Sequence, residues 1–272
     1  MQAHTTQVAV PAAADSWTDM TAIVVPAGVT RLVKVCVALA VDEADPAGVR
    51  FAPLVRLIGS GLMEQSPHVY VGPCGNIAAK TTSGACSAEL NPVCYDVDIA
   101  VAVGGTIQAQ TMTPDEAITA GTISCGLIFD TGTVKQANSM SDWVDAAMAT
   151  TAGGWYTVGT LTVPQMEKGK APTKIRMIVM AIATDQATIA LLRCASRFRL
   201  SGSGLAEGGL HEFLGPHSGT GCNTAGILGY DRQTVPLEVE MTVNAGGTIL
   251  VEHYLTTETP TAGTAIFGVL YA

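Results

Sequence analysis

Apolar and polar side chains alternate with a period of two along much of the chain. Between Tyr95 and Val103, the residues Tyr95, Val97, Ile99, Val101 and Val103 fall on one side and Asp96 and Asp98 on the other. That is the pattern of a strand with one face on a core and one in water. Leu237, Val239, Met241 and Val243 alternate with Glu238 and Glu240 in the same way. Such runs predict strands at Met20–Val25, Thr30–Val41, Val49–Ile58, Val69–Val71, Val93–Val103, Thr106–Thr111 and Thr122–Phe129, separated by Gly, Pro and Asp turns. One short helix, led by Asp142 and capped by Ser139 or Ser141, is predicted within Ser139–Thr150.

The strand pattern occurs twice. Arg56 to Pro73 reads RLIGSGLMEQSPHVYVGP and Arg199 to Pro216 reads RLSGSGLAEGGLHEFLGP, identical at 10 of 18 positions. Upstream, Thr30–Asp42 matches Thr173–Asp185, and Trp17 matches Trp155. Downstream, Gly104–Ile107 recurs at Gly246–Ile249 and Thr119–Phe129 at Thr261–Tyr271. A repeat this long calls for two copies of one structural unit. The expected fold is all-β, two tandem homologous antiparallel β-sandwich or jelly-roll domains. Residues 1–137 hold an extended N-terminal arm and the first sandwich, and residues 138–272 a linker and the second.

Composition agrees with folded, turn-rich β structure: 48% hydrophobic and 14% charged residues, with 29 glycines and 13 prolines in 272 residues. A net charge of -9 argues against a nucleic-acid-binding domain. Arg193, Arg197 and Arg199 are the local exception. They leave open a weak contact with packaged nucleic acid, although three arginines on one hairpin also mark a solvated or interface-paired face. Seven cysteines cannot all pair within one chain. Cys36 and Cys125 sit in apolar runs and read as core residues, whereas Cys74, Cys86 and Cys94 flank a Gly/Ser-rich stretch where one pair has room to bridge. The first residues lack the pattern of a secretory signal, and no apolar run is long enough for a membrane-spanning helix.

Two constellations invite a chemical reading. Glu64 and His68, with their counterparts Glu207 and His211, have the spacing of an acid/base or metal unit, but a long loop also uses such side chains to satisfy its own backbone. Asp96 with Asp98, and Glu238 with Glu240, have the spacing for a hard cation, but their regular alternation with core residues reads as an exposed sheet face that discourages stray strand pairing. Nucleophile-elbow, metalloprotease, phosphate-loop and dinucleotide signatures are missing. No residue is therefore assigned as catalytic, cofactor-binding or metal-ligating, no cofactor is expected, and the chain is read as not an enzyme. Trp17 and Trp155 occupy matching positions and are expected to pin the first strand of each unit to its core.

The duplicated strand-rich units, their shared ending on Thr-Ala-Gly-Thr and the N-terminal arm resemble, in architecture, the double jelly-roll coat proteins of icosahedral viruses. That resemblance implies a structural protein that self-associates, as a homo-oligomer and in that family a trimer, and meets other shell proteins in a capsid or capsid-associated shell. It also implies a virion location with assembly in the host cytoplasm. The chain is short for that family, which leaves a minor or decoration role open. The alternatives are a secreted or surface tandem binding module, for example for carbohydrate, and a subunit of a non-viral filament or compartment.

Overall fold

The computed structural model of the chain describes residues 1–11, 13–43, 49–63, 68–77, 86–114, 120–134, 140–148, 152–165, 171–185, 191–221, 234–255 and 262–272. Among these residues the chain is all strand, turn and bend, with no helix. The first half comprises β1 (Gln2–Ala9), β2 (Thr18–Asp19), β3 (Ile23–Val24), β4 (Arg31–Glu43), β5 (Val49–Phe51), β6 (Leu54–Ile58), β7 (Val69–Val71), β8 (Gly75–Ile77), β9 (Cys86–Ala100), β10 (Thr106–Met112) and β11 (Ala120–Asp130). The second comprises β12 (Ser141–Ala147), β13 (Trp155–Thr162), β14 (Lys174–Asp185), β15 (Leu191–Ser201), β16 (His211–Gly221), β17 (Thr234–Thr242), β18 (Thr248–Leu255) and β19 (Ala262–Tyr271).

Pairing is antiparallel in all four larger sheets. The first half stacks sheet β1-β11-β4-β9 against β2-β10-β6-β7, with β3 continuing β2 along β10 and a small β5-β8 ribbon at the side. The second half stacks β12-β19-β14-β17 against β13-β18-β15-β16, the same order strand for strand. In each half the last long strand closes back beside the first, which is the connectivity of an eight-stranded jelly roll.

Three expectations change. The predicted helix is strand β12, in register with β19 from Ser141 opposite Leu270 to Ala147 opposite Thr264. A segment this short has little helical stability of its own, and pairing with β19 satisfies its backbone outright. The first residues are extended but not a loose arm, since β1 pairs with β11 from Gln2 opposite Phe129 to Ala9 opposite Thr122. Cys36 is not a core residue: it faces outward from β4 and forms a disulfide with Cys94 on β9, while Cys125 is buried as a free thiol.

Each half has its own core, and in one sheet the central strands β14 and β19 are buried on both faces. Ile178, Met180 and Ile182 of β14 and Ala265, Phe267 and Val269 of β19 fill the second core. Their outward neighbours Val179, Ala181, Ala183, Ile266 and Leu270 join the core of the first half instead. The near-unbroken apolar run of β14 follows, because a strand covered on both sides has no wet face on which to alternate.

The repeated glycine turns are required by geometry. Gly59 and Gly202 have φ of 120° and 121°, and a Cβ on either would lie 2.4 Å from the carbonyl oxygen of Thr106 or Thr248. Gly59→Ala and Gly202→Ala are each expected to cost about 2–3 kcal/mol, read by chemical denaturation.

His253, on the inner face of β18, packs against the Phe198 ring with 4.8 Å between centroids, and burial lowers its pKa to about 4. Below the unfolded value near 6.5 the unfolded chain binds the proton that the folded chain refuses. Stability therefore falls as pH drops from about 6.5 to 4, by about 3 kcal/mol from this residue. Denaturant titrations of wild type and His253→Leu across that window are expected to show a flatter acid limb for the variant.

Candidate functional site

The two copies of the repeated loop have different surroundings. In the first copy His68 is 1% exposed and bridges to Ser141 of β12, in the other half of the chain. Three residues on, Val71 packs over the outer face of the β12-β19-β14-β17 sheet, where a Cβ added to Gly268 would lie 3.0 Å from a Val71 methyl. Tyr95 donates its hydroxyl to the Val71 carbonyl from below. Next to this contact the Cys74 amide donates to the Thr234 hydroxyl at 2.9 Å, and that hydroxyl donates to the Gly72 carbonyl. Burial raises the Cys74 thiol to about 12, so it stays protonated. In the second copy His211 is half-buried and Leu214, the counterpart of Val71, is 72% exposed.

Among the described residues the acids and imidazoles of the repeated loop have separate surroundings. Glu64 lies outside the described residues, Glu207 is exposed, and His68 belongs to the seam between the halves. Among the described residues no group of three or more His, Cys, Asp or Glu side chains is placed to hold a metal ion.

Of the strand-repeat carboxylates Asp96, Glu238 and Glu240 are exposed, and Asp98 departs from the expected solvated face. A β-bulge in β9, opposite Val33, leaves Asp98 buried, 3.3 Å from the guanidinium of Arg31. The matching bulge in β17, opposite Arg176, puts Glu240 2.7 Å from Lys174, which pulls its pKa below the usual carboxylate range. Asp96, Lys174, Arg176, Glu238 and Glu240 line a cleft of about 400 Å³ at the seam. There Arg176 donates to the Asp96 carbonyl across the two halves. Its burial lowers the guanidinium pKa, and Asp96, Asp98 and Glu238 oppose that shift. Lys34 holds the Asp96 carboxylate at 3.0 Å. These acids neutralise cations along the seam.

The outer face of the β13-β18-β15-β16 sheet carries an aromatic and cationic row. Trp155, Tyr254, Arg197 and Leu214 stand opposite one another in register. Arg199 stacks over Trp155 at 4.3 Å and grips Glu252 through two hydrogen bonds of 2.6 and 2.9 Å. Arg197 lies 4.5 Å over Tyr254 and 3.6 Å from Glu212. In the first half Arg56 likewise stacks over Trp17 at 4.3 Å. The tryptophans thus serve as arginine platforms on the outside of the sheets, although Trp17 also packs against the first core. Arg197 and Arg199 are paired with carboxylates and rings, and the side chain of Arg193 lies outside the described residues. The exact recurrence of Trp and Arg in both copies was the available signal for these stacks, but which way the side chains face is not legible from spacing alone.

No family model and no curated protein matches the chain. Among solved structures, a peptide-N(4)-(N-acetyl-β-D-glucosaminyl) asparagine amidase aligns over 100% of this chain and 96% of its own, with 12% identity and a TM-score of 0.43. A chain of the entire lipid-containing bacteriophage PM2 aligns over 100% and 73%, with 10% identity and a TM-score of 0.25. The CBM22-1-CBM22-2 tandem domain of Paenibacillus barcinonensis Xyn10C aligns over 100% and 92%, with 10% identity and a TM-score of 0.21. The expectation that the chain is not an enzyme is corrected here, because structures that align along the whole chain include amidases. An all-β architecture without a sequence signature does not decide for or against catalysis, since chemistry resides in a few loop side chains rather than in the fold.

Thr234→Val removes the hydroxyl that joins the Cys74 amide to the Gly72 carbonyl and leaves a buried donor unpaired. The expected cost is about 1–3 kcal/mol. Calorimetry is expected to show the single unfolding transition broadening or splitting as the seam weakens.

Proposed function

We propose that the chain is a structural protein that assembles with copies of itself into a viral capsid or capsid-associated shell. On this reading residues 1–137 and 138–272 are twin jelly-roll domains descended from one duplicated unit. Three chains form the building block, which meets other shell proteins in the virion after assembly in the host cytoplasm.

The observation that carries the reading is the seam. Val71 of the first half lies on an outer sheet face of the second, where Val179, Ala181, Ala183, Ile266 and Leu270 are all buried. Docking one jelly roll onto the face of another over small and branched apolar residues is the contact a shell repeats many times. Both halves carry the strand order needed to make it. Fusing two units in one chain halves the number of separate associations and lets the two copies diverge where their neighbours differ.

Light scattering coupled to size exclusion, with negative-stain microscopy of the same fractions, tests the reading. Trimers or larger closed particles are expected at micromolar concentration. A monomer that persists at the highest soluble concentration overturns it.

A further inference from the structure

The second half offers a docking element with an exposed leucine, and the first half offers the face that matches it. At a spacing of 143 residues His68, Tyr70, Val71 and Cys74 correspond to His211, Phe213, Leu214 and His217. The first four are buried, at 1–2% exposure, whereas Leu214 is 72% exposed and His211 and Phe213 are half-buried. On the receiving side, strand register makes Ile266, Gly268 and Leu270 of β19 correspond to Ser124, Gly126 and Ile128 of β11. Val179, Ala181 and Ala183 of β14 correspond in the same way to Cys36, Ala38 and Ala40 of β4. The second-half members are covered by the first half, while their first-half counterparts are half-buried or exposed.

We infer that a second copy of this chain docks by its Leu214 on the outer face of the first chain's β1-β11-β4-β9 sheet at Gly126, repeating between chains the Val71–Gly268 contact made within each chain. The inference rests on the reading of the protein as a self-assembling subunit and names the surfaces that join the copies.

Three features of the receiving face fit this occupant. A Cβ built on Gly126 meets nothing closer than 3.7 Å, so there is room for a branched side chain above it, as there is for Val71 above Gly268. The face is made of small side chains, including Thr5, Ser124, Cys36 and Ala38, and its Lys34–Asp96 ion pair stands to one side. Among the described strands β1 is an edge of its sheet, as β12 is of its own, and Ala3 stands where Ser141, the partner of His68, does in the other half. An unpaired sheet edge is a template for a neighbouring chain.

The contact is head-to-tail, because element and face are on different halves. Such a contact propagates from chain to chain until it closes on itself. The Cys36–Cys94 disulfide lies within the receiving face, where it ties β4 to β9.

The test uses full-length variants. Leu214→Asp and Ser124→Lys are expected each to raise the protein concentration needed for half-assembly by at least about tenfold, the effect of losing one interface hot spot. Mixing the two variants places opposite charges across the contact and is expected to restore part of the loss. Met63→Asp, at a residue that is also exposed but outside the contact, is expected to assemble like wild type. Circular dichroism and melting temperature of each variant check that the fold is intact. If wild type assembles and Leu214→Asp assembles equally well, the docking inference is overturned while the functional reading stands. If wild type is a monomer throughout, both fall.

Discussion

The constraint on which the molecule depends is the burial of both faces of β14 and β19, the two central strands of the β12-β19-β14-β17 sheet. The inner row closes the second core and the outer row closes the first. Each exposed apolar square ångström on that outer face would forfeit about 25 cal/mol of stabilisation, so the second half cannot be left uncovered in water without penalty. The first half therefore does more than share a chain with the second. It supplies the lid, through Val71 and the hydrogen bonds at Thr234, and the Arg176 hydrogen bond to the Asp96 carbonyl and the Lys174–Glu240 ion pair rim the joint.

Divergence between the copies follows from that asymmetry. Where the first half carries Leu54, Met112 and Val71 in a buried row, the second carries Arg197, Tyr254 and the exposed Leu214. Where Tyr95 braces the Val71 carbonyl, its counterpart Leu237 stands partly exposed. A dry joint suits a permanent contact within one chain. Arginine, aromatic rings and paired carboxylates suit a face that stays in water. The glycine turns at Gly59 and Gly202 and the bulges that aim Asp98 and Glu240 are unchanged, because each jelly roll needs them for itself.

Much of this is legible in the residues. Alternation located most strands, and the repeated motifs anticipated the matching strand order of the two halves. What alternation cannot supply is the identity of the second cover on a strand apolar at nearly every position, such as Ile175–Ala183. Cys36 was hidden in the same way: its run is apolar, but the residue points outward and meets Cys94. Ser141–Ala147 resembles a capped helix in isolation and becomes a strand because β19 has an edge to be paired. His68 and His211 are the same letter in the same motif, and only the non-local placement of the halves makes one buried and leaves the other at the surface. The candidate site was thus present in the sequence as a repeat, and its meaning lay in which copy is covered.

Hydrogen exchange followed as a function of protein concentration measures this asymmetry most directly. Amides of β7 and β12 lie at the joint within the chain and are expected to be protected at every concentration. The amides of β1 and of residues 211–217 that point away from β11 and β15 are expected to exchange fast in dilute protein and to slow together as copies associate. If β1 and 211–217 exchange at the same rate in dilute and assembled protein, the copies do not meet through these surfaces.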